Sequence, residues 1–139
     1  MTPRDRAGWL HGSPEGTRST RVHHERVAQG LLAAAAAGDA RGMERMLHPG
    51  AALTVDGGGH VPAPGTTVEG ATDVAACLAD VLLATGTTLR IEAVNGLPGI
   101  IVCRRGAVVG ILGLRVRGRQ IIEAWLIVNP DKLTRWNCD

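Results

Sequence analysis

The last third of the chain permits few folds. Four extended segments, Thr88–Val94, Gly99–Cys103, Ala107–Val116 and Gln120–Val128, are separated only by Asn95-Gly96-Leu97-Pro98, Arg104-Arg105-Gly106 and Arg117-Gly118-Arg119. Turns this short join antiparallel neighbours, so the segments form a meander. The last two segments are apolar on both faces. Val108, Leu112 and Leu114 alternate with Val109 and Ile111; Ile122, Ala124, Leu126 and Val128 alternate with Ile121, Trp125 and Ile127. Helices can cover one face. The other must also be hidden from water, most economically by a second copy, which predicts a homodimer through the sheet.

The helices come earlier. Helical periodicity starts near Arg21, runs through Val22, Val27, Leu31, Leu32 and the alanines, and ends at Gly38-Asp39. Asp39 is placed to cap a short helix, Ala40–Leu47, which His48-Pro49-Gly50 stops. Ala51–Val55 reads as a strand, Asp56-Gly57-Gly58-Gly59-His60 as a turn, and Val61–Val68 as an irregular loop. A third helix, capped at Thr72 or Asp73 and running to about Ala84, carries Val74, Cys77, Leu78, Val81 and Leu82 on one stripe. This order gives an α+β fold with the helices on one face of a sheet. Residues 1–20, rich in Gly, Pro, Ser, Thr and charge, read as a flexible arm, in which Trp9-Leu10 is the lone apolar pair; 21–139 form one domain.

Composition narrows the function. Three tryptophans (Trp9, Trp125, Trp136) are the only aromatic residues, so stacking platforms for single-stranded nucleic acid are lacking. Lysine occurs once, at Lys132, and the other 14 of the 15 basic residues are arginines scattered along the chain at a net charge of +2, which argues against a DNA footprint. Cys77, Cys103 and Cys138, an odd number without CxxC spacing, read as thiols of a reducing compartment. No secretory h-region precedes the domain, and no apolar run approaches the roughly 20 residues needed to span a bilayer. A cytoplasmic protein without membrane or nucleic-acid partners is expected.

Glu123 is the chemically odd residue, a carboxylate inside an otherwise apolar strand. By alternation it shares a face with Ile121, Trp125 and Ile127. If helices cover that face, Glu123 is partly buried, its pKa rises, and it serves as a general acid or base. The alternative is an ion pair with an arginine of a neighbouring strand, such as Arg115. Asp56 is either ordinary turn chemistry or a polar pocket residue, and His60 a loop histidine or a pocket-rim residue. Arg90 and Glu92 lie on the more polar face of their strand, to line a pocket mouth or to pair across the sheet. His23-His24 point about 100° apart on a helix, which suits a metal chelate poorly. The serines, Ser13 and Ser19, both lie in the arm, which leaves no nucleophile of that kind in the domain.

Three segments carry a resemblance: Val55-Asp56-Gly57-Gly58-Gly59-His60-Val61-Pro62, Val94-Asn95-Gly96-Leu97-Pro98-Gly99 and Asn129-Pro130-Asp131-Lys132-Leu133. Together they resemble the SnoaL-like domain at the C-terminus of certain extracytoplasmic-function sigma factors, over about residues 22 to 135. The resemblance implies the cone-like fold of the nuclear-transport-factor-like superfamily, with three N-terminal helices packed on a curved antiparallel sheet around one pocket. His60 stands where those regulators usually carry lysine, and Glu123 where a small or apolar residue is expected. The arm is too short for the DNA-binding sigma regions, so a stand-alone module is expected. The wider superfamily includes polyketide cyclases, ketosteroid isomerase and limonene-epoxide hydrolase, which use a carboxylate projecting from a strand. That implies cofactor-independent cyclase, isomerase or epoxide-opening chemistry on a hydrophobic polyketide- or terpenoid-like substrate. Glu123 would move the proton, Asp56 and His60 would assist, and Trp125, Asn129, Asn95 and Arg90 would contact substrate. The other reading is a non-catalytic ligand-binding or regulatory module.

Overall fold

A computed structural model describes the backbone of residues 14–57, 67–134 and 136–138, and side chains from Arg21 onward within those ranges. Helix α1, Pro14–Ala36, begins seven residues before the periodicity becomes readable at Arg21. Helix α2, Ala40–Arg45, is capped by Asp39, whose carboxylate accepts from the Gly42 N–H at 2.9 Å. Strand β1 then takes Leu47–Asp56, absorbing His48-Pro49-Gly50. Its pairing register shifts between Leu47 and Ala52, and this irregularity accommodates a proline that could not donate to a regular ladder. A two-residue strand β2, Val68–Glu69, precedes helix α3, Ala71–Leu82, which starts at Gly70 (φ 96°) without a side-chain cap.

The rest is the expected meander: β3 Thr87–Val94, β4 Leu97–Arg104, β5 Ala107–Arg117 and β6 Gln120–Ile127, closed by the one-turn helix α4, Pro130–Leu133. Two turns are tighter than the sequence suggested. Asn95-Gly96 and Arg105-Gly106 both adopt positive φ at each residue, the hairpin geometry that matches strand twist, so Leu97 and Pro98 join β4. The sheet order is β2-β1-β6-β5-β4-β3. All neighbours are antiparallel except β1 and β6, which run parallel, so the sheet is mixed rather than wholly antiparallel. Register shifts at Val102/Cys103 and Arg115/Val116 are of the kind that bends a sheet.

Helices α1 and α3 cover one face. Val27, Leu31, Val74 and Leu78 pack there against Leu53, Ile100, Val102, Leu112, Leu114 and Leu126, the main core. The second face holds a smaller cluster of Ile101, Cys103 and Ile111, and Leu133 of α4 lies on it with Trp136 and Cys138 alongside. Part of the cover assigned above to a second copy is therefore supplied by the chain's own C-terminal segment. A disulfide, Cys103–Cys138, ties that segment down with Cα atoms 5.8 Å apart. This corrects the reading of these two cysteines as thiols; Cys77 remains free. Closing a loop of this length restricts the unfolded chain by about 4 kcal/mol. Among the described residues no helix is long and apolar enough to cross a membrane.

Gly99 shows how closely the β3–β4–β5 corner is packed. A Cβ there would lie 2.6 Å from a Val94 methyl and 2.8 Å from the Leu112 carbonyl oxygen, and the latter is backbone that cannot rotate away. Gly99→Ala should therefore cost about 1–3 kcal/mol in urea unfolding. Gly113→Ala, whose nearest neighbours are 4.0 Å off, should cost less than half as much.

Candidate functional site

Glu123 lies on the second face, not on the helix-covered one. Arg115 pairs with Glu123 and Val116 with Ile121, so Ile122 is the extra residue of a bulge. The bulge reverses the alternation: Ile121 turns into the helix-side core, whereas Glu123 stays with Trp125 and Ile127. The Glu123 carboxylate accepts from Arg115 Nη1 at 2.8 Å with side chains 36% and 43% exposed. This is the ion pair named above as the alternative. It is a solvent-screened contact of about 0–1 kcal/mol.

A cavity of about 630 Å³ opens on the same face and does not take in Glu123. Trp125, 9% exposed, lines it from the middle of β6, and Gly113 lies opposite it on the neighbouring strand. Gly113 adds no side chain beside the ring: its missing Cβ would sit 4.0 Å from both the Trp125 ring and a Val94 methyl. The β3–β4 hairpin supplies one wall through Val94, Asn95 and Leu97. Asp56, at the end of β1, and Lys132, on α4, form the polar rim, joined Nζ to Oδ2 at 2.6 Å. The site is thus an apolar floor with a charged pair and an amide at its edge, a form that suits a ring system bearing one polar group.

Three of the residues singled out in the sequence, Asp56, Asn95 and Trp125, meet in this cavity. The others have different places. Asn129 caps α4, its side chain accepting from the Asp131 N–H at 3.1 Å. Arg90 binds Glu92 at 2.7 Å and donates to the Asn137 carbonyl of the C-terminal segment. His60 lies outside the described residues, as does the Trp9-Leu10 pair. Gly113, Thr54 and Lys132 were not read as site residues. The legible signal for Gly113 was a glycine interrupting an apolar strand, which marks a place where something approaches closely. Among the described residues, no three His, Cys, Asp or Glu side chains converge as a metal site.

In sequence His24 is a poor chelator beside His23. It faces the core from α1, 2% exposed, one helical turn from Val27 and Ala28 and two from Leu31. Its Nε2 has no hydrogen-bond partner among the described residues. Burial pushes its pKa below the ordinary 6.5, while a hydrogen bond to the Pro98 carbonyl acts in the opposite direction. The helix-side interior thus holds a neutral imidazole rather than the expected carboxylate.

Solved structures place this geometry. A 28% identical match to the extracytoplasmic-function sigma factor SigJ of Mycobacterium tuberculosis covers 81% of this chain and 44% of that one, at a TM-score of 0.62. In sequence, SigJ is 32% identical over 123 residues, 80% of this chain and 39% of that protein. The chain carries the nuclear-transport-factor-like fold. The chain spans well under half the length of SigJ, and no family model matches it. Two further structures share the fold alone. An NTF2-like protein of unknown function from Mesorhizobium loti is 16% identical over 78% of this chain and 93% of its own (TM-score 0.58). A steroid delta-isomerase from Pseudomonas aeruginosa is 20% identical over 81% and 84% (TM-score 0.58).

The buried imidazole gives a pH test. The unfolded chain protonates His24 at its ordinary pKa and the folded chain resists, so unfolding takes up a proton as pH falls below about 6.5. Stability should fall from there until the folded pKa is passed. His24→Leu should lose this part of the acid sensitivity, seen as a smaller change in urea midpoint between neutral and mildly acidic buffer.

Proposed function

We propose that this SnoaL-like domain is a ligand-binding, regulatory module that takes a flat, apolar, polyketide- or terpenoid-like molecule on the Trp125 face of its sheet. The carrying observation is the cavity over Gly113, where the ring of Trp125 borders apolar side chains and the Asp56–Lys132 pair marks one polar edge. An aromatic face and a charged rim give orientation as well as affinity. The placement of Glu123 favours binding over catalysis, because an exposed carboxylate shared with Arg115 is poorly set to exchange a proton with a molecule in the cavity. Likeness to part of a sigma factor supports a regulatory setting. On this reading the module needs no cofactor and works in the cytoplasm. A sheet-mediated homodimer is retained as part of this reading, with the cavity over Gly113 left to the ligand.

A second reading is cofactor-free acid–base catalysis of cyclisation, isomerisation or epoxide opening. It is favoured by Asp56, a carboxylate at the cavity rim on a fold shared with a steroid isomerase. In that case Asp56→Asn should lower turnover of a ring-closing or isomerising substrate by at least two orders of magnitude. Equal loss in Glu123→Gln would return the proton transfer to Glu123.

Binding is tested by fluorescence titration with 8-anilinonaphthalene-1-sulfonate. Gly113→Leu places a side chain where the ligand ring would stack and should weaken binding at least about tenfold, with far-ultraviolet circular dichroism unchanged. Undiminished binding would refute the site.

A further inference from the structure

The C-terminal segment after β6 crosses the second face without joining the sheet. Asn129 and α4 turn it back, Leu133 sits over Ile101 and Ile111, and Trp136 and Cys138 follow. Among the described residues its side-chain and covalent anchors include Lys132 to Asp56, the Asn137 carbonyl to Arg90, and Cys138 to Cys103. The first anchor is also the polar rim of the cavity. Whatever holds the segment therefore also holds one side of the ligand site.

The two sulfurs are unequal. Cys103 is 4% exposed near the end of β4, whereas Cys138 is half-buried near the end of the chain. An incoming thiolate reaches Cys138 first. Arg90 Nη1 lies 4.0 Å from Cys103 Sγ, so the sulfur that leaves has a guanidinium beside it. Positive charge next to a leaving sulfur stabilises its thiolate and favours exchange, although Glu92, bound to the same arginine, offsets part of the effect.

The geometry points to Cys103–Cys138 as a redox latch that fixes the C-terminal strap as a wall of the ligand site. In the opening reaction, one thiolate of a dithiol reductant attacks Cys138 Sγ. The Cys103–Cys138 bond breaks and its electron pair leaves on Cys103 Sγ. The second thiolate of the reductant then attacks its own sulfur in the mixed disulfide and releases the Cys138 thiolate. The protein disulfide has gained two electrons, both cysteines take up protons, and the dithiol has become a cyclic disulfide. A low-molecular-weight disulfide reverses the sequence, leaving as two thiols. Opening removes the covalent anchor, frees Lys132 from its position at the rim and uncovers Ile101 and Ile111. Cys77 takes no part: it is on α3, and partial burial with Asp80 and Asp73 nearby pushes its thiol pKa up.

The effect on binding rests on the ligand reading above, whereas the latch itself does not. Hydrogen exchange read by mass spectrometry on the full chain separates them. Reduction with dithiothreitol, or Cys138→Ser, should speed exchange at residues 131–138 at least tenfold while β4 and β5 stay protected. Cys77→Ser should leave the pattern of the oxidised protein unchanged. The same samples, titrated with 8-anilinonaphthalene-1-sulfonate, should show at least a threefold change in dissociation constant on reduction. Unchanged exchange in the strap, or exchange rising equally across the whole sheet, overturns the latch. A loosened strap with no saturable binding of the dye in either state leaves the latch standing and overturns the ligand site.

Discussion

Two-sided burial of the β4–β5–β6 sheet is the constraint on which the other features depend. Side chains on successive strand residues point to opposite faces, and these strands are apolar on both. Helices α1 and α3 cover one face with Val27, Leu31, Val74 and Leu78. The second face is covered over Ile101 and Ile111 by Leu133 and its neighbours. Among the described residues, that cover does not extend over Gly113 and Trp125, and the cavity lies there. The candidate site thus lies, among the described residues, on the second face of the sheet, away from the main helix-covered core.

Much of the fold was legible because the signals were local. The meander could be read from four apolar segments and their turns, and α3 from a stripe of Val74, Leu78 and Leu82 at helical spacing. Asp39 announced α2. What could not be read was non-local. Nothing near Leu53 says that β1 will lie parallel to β6, and nothing near Ile122 says that a bulge there will turn Ile121 to the opposite face from Glu123. The disulfide was hidden for the same reason, since 35 residues separate its cysteines and only the fold brings them together.

The candidate site was legible in part. Trp125, Asp56 and Asn95 stand out as residue types, and the cavity gathers them. Glu123 stood out equally, but an isolated charge in an apolar strand has two physical explanations, and the structure shows the ion pair with Arg115. His24 is hard to read from the sequence because adjacent His23 suggests a ligand pair, whereas its spacing puts it on the buried stripe with Val27, Ala28 and Leu31. Likeness to SigJ and to a steroid isomerase fits one scaffold serving unlike ends, so function must be argued from the cavity and its rim.

A crystal structure of the oxidised protein grown with 8-anilinonaphthalene-1-sulfonate is the most direct measurement of the central claim. The expected result is the aromatic ring system against Trp125 above Gly113, with the sulfonate near Lys132. Ligand density between α1 and the sheet beside His24, or a Trp125 face occupied by protein side chains alone, would contradict it.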